Sequence, residues 1–522
     1  MAFIRNMLRV NLRKVRIAVS VRRKKSPSNA PAELIAHHHR QQQQPRDNRV
    51  HNLQQEPCEA LRTVVENNGG KNVPEDEPRS PEPQWVVSIK EKLEQARQND
   101  VGCSWEKLSI HRIPHYLKDG KGKDKAYVPQ IVSLGPYHHG KERLRQMEQH
   151  KWRCLHRVLM RTNHRIGFYL DSVMEVEERA RTCYEGPISM SSTEFVEMMV
   201  LDGCFVIELF QGVAEGFETL GYPPHDPVFS MRGPVNAIQR DMILLENQIP
   251  FLILNRLYGL QHGHLDQEGV LANLALQFFD PMKPTEPTDE HLTISSNRLE
   301  SNPLPDHGEL HCLELFRRSL LHPGPSPVDT KELSHKRQQL IHCVTELRQA
   351  GIKFSKGKTD RFWDIQFEGG SLQIPQLVIH DGTKSLFHNL IAFEQCHSNC
   401  TKDITSYVIF MDNLINSPKD IGHLHDRGII EHWLGSNAEV ADLFNQLCQE
   451  VVFDVSDSYL STLSQQVNEY SSHSWYRWLF LLKNEYFGNP WSITSFIAAV
   501  VLLGLTFAQT FYAVYGYYRP GS

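Results

Sequence analysis

No HExxH, no GxSxG and no paired CxxC occurs anywhere in the 522 residues. The chain therefore carries no complete signature of a zinc protease, a serine esterase or a zinc knuckle. Its ten cysteines are scattered at ordinary frequency, which excludes a dense disulfide scaffold. Cys396 and Cys400, with His397 between them, are the only close pair; without a second pair they read as a local disulfide or two free thiols rather than a metal site. Acid is missing at one end: nine Lys and Arg precede the first carboxylate, Glu33. With a net charge of −5 for the whole chain, everything after Lys25 carries −14. An acidic body of that kind argues against a nucleic-acid partner.

The basic head has no secretory apolar core, because arginines flank "VRIAVSV" on both sides, so it is either an organelle transit peptide or a disordered basic tail. Through residue 84 the chain is rich in Gln, Pro, Glu, Asn and Gly and has too little apolar surface to offset the entropy of ordering. Residues 1–84 are expected to be disordered. His37 to His39 inside this tract are expected to bind nothing specific.

Charge is also missing between Glu485 and Arg519. Within that gap the run from Ile493 to Tyr515 is long enough, at about 1.5 Å per residue, to cross a hydrocarbon core of roughly 30 Å. Trp491 stands at one edge and Tyr512, Tyr515, Tyr517 and Tyr518 at the other, as an aromatic belt requires. A single membrane span over 493–515 is expected. Because the span lies so near the chain's end, the simplest topology is a tail anchor in the plasma membrane or an endomembrane, with the body in the cytosol. "NCT" at Asn399 to Thr401 is a glycosylation acceptor by spacing and matters only if the body faces the lumen or the exterior.

Between these ends, residues 85–484 predict a mainly helical globular body with a minor β-hairpin. In "KERLRQMEQHKWRCLHRVLM", Leu144, Met147, Leu155, Val158 and Leu159 share one helical face, leaving Arg143, Arg145, Lys151 and Arg153 mostly on the other. In "SSTEFVEMMVLDGCFVIELF", Ser191 and Glu194 fit a capping box, and the following run is apolar enough for a central buried helix. Trp363, Ile365 and Phe367 alternate with Phe362, Asp364 and Gln366, and Gly369-Gly370 then turn into a second extended run, so a hairpin is expected. Pro-rich stretches near 280–309 and 321–329 read as surface insertions dividing two helical lobes.

"LGPYHHGKE" (134–142) has the spacing of a phosphate-cradling loop: Gly135, four residues, then Gly140-Lys141, after a strand-like "YVPQIVS" and before a helix. The inner residues oppose that reading. Pro136 lacks an N–H, Glu142 stands where a Ser or Thr should hold magnesium, and the candidate second motif ending at Asp202 falls inside a helical run. A turn is the simpler account, and no nucleotide or other cofactor is expected. His115, His138, His139, His150 and His156 crowd this region without a complete catalytic set. In "DMILLENQIPFLIL" (241–254), Glu246, Asn247 and Gln248 interrupt an apolar run. Read as a helix they point in three directions, so at least one turns inward and needs a partner.

These segments, with "IHRIPHYLKD", "LQIPQLVIHDGTKSLFHNLIAFEQC", "ITSYVIFMDNLINSPKDIGHLHDRGIIEHWLGSNAEVADLFNQLC" and the final apolar run, resemble in order the plant family called domain of unknown function 247. The resemblance covers about 103 to 518, with the family domain proper at about 103–480. It implies a plant membrane protein with a C-terminal span, no assigned activity and no established catalytic residues. Some grass members are linked to pollen self-incompatibility as recognition determinants. The expected function is a membrane-anchored module that binds an unidentified protein partner; the alternative is an enzyme or nucleotide-binding protein using Gly135, Gly140 and Lys141.

Overall fold

The computed structural model describes residues 83–102, 108–119, 124–263, 269–285, 310–321, 341–397, 400–455, 458–472 and 490–518. The basic head, the histidine tract, Asn399 and most of the two Pro-rich stretches lie outside them. Seventeen α-helices and five short strands occur among the described residues, so the chain is mainly α, as expected.

The first half is helical throughout: α1 (Gln84–Gly102), α2 (His115–Lys118), α3 (Arg145–Thr162), α4 (Ile166–Met174), α5 (Glu177–Thr182), α6 (Ser192–Glu215), α7 (Arg232–Met242), α8 (Phe251–His262) and α9 (Val270–Phe279). α6 is the axis. The Ser191 hydroxyl accepts the N–H of Glu194 while the Glu194 carboxylate accepts the N–H of Ser191, so the helix starts on a complete capping box. From Phe195 to Gly212 every residue but Glu197 is buried, because α3, α4, α8 and α9 all pack around it. A helix apolar on every face needs such a sheath.

After α10 (Cys312–Ser319) and α11 (Val344–Gln349) come β1 (Lys353–Lys356), β2 (Gln366–Glu368), β3 (Ser371–Ile374) and β4 (Leu377–Ile379). Then follow α12 (Asp381–Cys396), α13 (Asp403–Leu414), α14 (Pro418–Asp426), β5 (Ile430–His432), α15 (Asn437–Leu447), α16 (Ser461–Ser472) and α17 (Pro490–Tyr518). The expected hairpin is β2–β3, antiparallel with Gln366 opposite Gln373. Gly369 and Gly370 turn it with φ of +56° and +75°, angles a tight hairpin turn demands. Gly370 has a second reason to lack a side chain, since a Cβ there would meet the Tyr470 hydroxyl at 2.4 Å.

The hairpin's first strand is shorter than the alternation suggests. Phe362, Trp363 and Ile365 are all buried in a turn that precedes it. β1 joins β3 in parallel, and β4 pairs with β5 in parallel across an intervening pair of helices and α14. The buried apolar residues, from Ile110 to Val467, form one continuous cluster rather than the cores of two lobes.

Two further expectations are corrected. "YVPQIVS" pairs with no strand and is held by side chains instead. "DMILLENQIPFLIL" is not one helix: α7 stops at Met242, α8 starts at Phe251, and 243–250 is a buried loop.

Candidate functional site

That buried loop and the 130–141 segment are clasped together, and the clasp explains why polar residues interrupt both. Asp241, at the end of α7, accepts the backbone N–H groups of Gln130 (2.9 Å), Ile131 (2.6 Å) and Val132 (3.1 Å). Asn247 accepts from Leu134 N–H at 2.8 Å and donates to the carbonyls of Val132 and Asp241. Gln248 donates to the carbonyls of Met242 and Leu244 and accepts from Leu313 N–H at the start of α10. Glu246 accepts from Ile113 N–H and from Lys118 Nζ, each at 2.8 Å. Asn389 on α12 reaches in from the other side, accepting from Leu245 N–H and donating to Ala126 O. A segment without sheet or helix partners must satisfy its peptide groups somehow, and here side chains do it. Glu246, Asn247 and Gln248 all turn inward, each with partners.

The phosphate-loop candidates sit on this clasp. Gly135 has φ +69°, and a Cβ on it would lie 2.4 Å from the carbonyl oxygen of Gln248; it is glycine so that the two loops can touch. Its N–H points to the carboxylate of Asp202 at 2.9 Å, and the N–H of Leu134 is taken by Asn247. The first amide of the loop is thus already taken by a carboxylate and is not free for a phosphate. Gly140 turns the chain with φ +76° in open space. Lys141 Nζ donates to Nδ1 of His138 at 2.5 Å.

Asp202 lies mid-helix in α6, as its place in the capped run implied, and its partner is Lys151 of α3. Lys151 was expected on the polar face; it is fully buried. Its three protons go to Ser133 O, Glu148 Oε1 and Asp202 Oδ1, each at 2.6 Å. No helical periodicity would have revealed it, because a buried lysine follows from partners distant in sequence.

The histidines separate by environment. His138 is nearly buried, and burial together with Lys141, Arg143, Lys118 and Arg112 holds its imidazole down at about 3. His150 bonds Arg153, and His115, His139 and His156 are exposed. Burial pushes the Cys396 and Cys400 thiols up, to about 12 and about 11, so neither is poised as a thiolate nucleophile. Among the described residues no group of three or more His, Cys, Asp or Glu is placed to hold a metal.

One concave feature is apolar. A groove of about 260 Å³ opens between α3, α4 and α6, lined by Trp152, Ile166, Leu170, Met174, Val196 and Val200, with Glu197 at its edge. Trp152 is 48 % exposed and Met174 47 %. Nothing in the sequence pointed here, because groove residues share the periodicity of core residues and differ only in lacking a neighbour. α17 meanwhile contains Ile493–Tyr515, long and apolar enough to cross a membrane and not buried by the rest of the described chain.

A helical body closed by a buried polar clasp, together with one candidate membrane helix, defines the class. Residues 110–505 match the plant family described as a plant protein of unknown function, domain of unknown function 247, and the chain belongs to that family. It is 31 % identical to the UPF0481 protein At3g47200 of Arabidopsis thaliana over 79 % of this chain and 87 % of the relative. It is 22 % identical to the putative UPF0481 protein At3g02645 of the same plant, over 84 % and 96 %. No solved structure matches.

Proposed function

We propose that the chain is a single-pass membrane protein whose helical body binds another protein through the groove between α3, α4 and α6. The groove itself carries the proposal. Large apolar side chains left half exposed around a concavity are what interface anchors look like, Trp above all. Ile166, Leu170 and Met174 succeed one another a turn apart along α4, a ridge matching an α-helix that presents apolar side chains at i and i+4. The occupant is therefore an amphipathic helix, with a basic residue facing Glu197. The body's clasped polar residues support the reading from the other side, since they serve internal bonding.

The test places a photo-crosslinking residue at Met174, and separately at the exposed Arg179 of α5, in the full chain expressed in plant cells. A discrete adduct at 174 that is absent at 179 and lost on Trp152→Ala is expected. The same adducts at both positions, or an adduct indifferent to Trp152→Ala, sink the proposal. Protease digestion of sealed vesicles, with a glycosidase shift at Asn399, reads the side on which the partner resides.

A further inference from the structure

The surface of the "GPYHHGK" turn carries more positive charge than its surroundings neutralise. Arg112, Lys118, Lys141 and Arg143 all act on His138 as neighbouring cations, although the body as a whole is acidic. Two carboxylates lie among them. Glu246 is buried and already takes Lys118 and an amide; Glu185 accepts from the N–H of Arg112 and faces His111 at 3.4 Å. Glu142, on the adjacent turn, lies 3.5 Å from Arg145. The side chains of Arg112, Lys141 and Arg143 make no ion pair among the described residues. Arg112 instead lies over the Tyr137 ring at 4.2 Å, and Lys141 bonds only a neutral imidazole. His138 is 3 % exposed, and its Nε2 has no hydrogen-bond partner; the nearest carboxylate oxygen, on Glu246, is 3.8 Å away.

We infer that Arg112, Lys141 and Arg143 form a side-chain site for a phosphate group, laid over the turn rather than inside it. Three cations that make no ion pair of their own repel one another, and a ligand of higher negative charge relieves that repulsion. A monocarboxylate would cancel one of them. A phosphate ester or diphosphate brings about −1.5 to −2 or more, with oxygens that suit an arginine fork and a lysine point charge. Lys141 feels that crowding: burial, Arg143 and Lys118 lower its ammonium, and the Glu246 carboxylate offsets them only in part. The site differs from a nucleotide-binding loop in using no backbone amide, and it does not depend on the helix groove.

The probe is pyrophosphate, titrated onto the full chain in phosphatidylcholine nanodiscs, with acylation of Lys141 read by mass spectrometry against exposed Lys358 as control. Saturable protection of Lys141 by about tenfold is expected, retained in Lys141→Arg discs as thermal stabilisation and lost in Arg143→Ala, an exposed position where truncation leaves the fold intact. In discs containing phosphatidic acid, protection without pyrophosphate identifies a lipid headgroup as the source; protection only on adding pyrophosphate identifies a soluble phosphate. Equal protection by chloride at matched ionic strength, or none in either disc, overturns the site.

Discussion

Lys151 uses each of its ammonium protons inside the protein, one of them on a carboxylate that also holds the amide of Gly135. A buried ion pair of this geometry adds little net stability over an apolar pair, yet removing one partner leaves the other charge stranded, at a cost of about 3–5 kcal/mol. Lys151→Met should therefore destabilise the body by about that amount, because Asp202 remains buried with Ser133 O unpaired. Lys151→Met combined with Asp202→Asn should cost clearly less than Lys151→Met alone, since Asn keeps an acceptor for Gly135 N–H without a charge. Urea unfolding of the three proteins measures this. A double variant no more stable than the single one would show that Lys151 acts by packing alone. The same two residues show why a residue-level reading of the sequence went astray here: amphipathic periodicity assigns every lysine to solvent, and the partners that reverse the assignment come from α6 and from the clasp.

Elements recognised by local rules were legible. The capping box of α6 and the glycine pair of the β2–β3 turn each fix their own geometry within a few residues. What the sequence hid was non-local: β1 pairing in parallel with β3, β4 with β5, and the side-chain bonds that hold 127–134 extended without a sheet. The junction of residues 108–114, α10 and the end of α12 is another such meeting. There His111 meets His397 edge to face at 4.3 Å, His397 stacks on Phe393 at 3.8 Å, and His311 caps α10. His311 accepts from Glu314 N–H through Nδ1, and its Nε2 lies 3.0 Å from Ser109 O, an arrangement that requires the neutral ring. Burial holds His311 at about 3 and His397 at about 4, joining His138 at about 3. Lowered folded values mean that the unfolded chain binds more protons below about 6.5, so their stability is full above that pH and is lost as pH falls. Glu394, raised by burial to about 7 and facing Arg317, works in the opposite direction between its ordinary range and neutrality. The lowered histidines, His111, His150, His380 and His423 among them, outnumber the raised carboxylates Glu394, Asp202 and Asp412, so stability should fall between pH 7 and 5. The urea midpoint should be lower at pH 5 than at pH 7, and His397→Gln should flatten that dependence. A midpoint independent of pH across this range would contradict the buried neutral cluster.

At the scale of the whole molecule the body and α17 present different kinds of surface. The body buries its apolar residues in one cluster around α6, whereas α17 exposes Leu502, Leu503, Leu505, Phe507 and Phe511, each more than half accessible. In water, so continuous an apolar surface would drive association; in a bilayer it is the favourable arrangement, and the helix satisfies its own backbone groups there. Thr494, Ser495, Thr506 and Thr510 fit the same setting, because each hydroxyl donates to a carbonyl three or four residues back and presents no unpaired polar group. The chain should therefore remain in the membrane pellet after carbonate extraction. Arginine at both Leu502 and Leu505, near the middle of the span, costs about 2.5–3.5 kcal/mol at each position on the insertion scale. Together these exceed what the flanking apolar residues return, so the double variant should move to the soluble fraction or be degraded, while its body, made in the same cells, keeps its protease-resistant core. Release of the unaltered chain by carbonate would mean that α17 is covered by protein rather than lipid, and the exposed leucines would then mark an assembly interface.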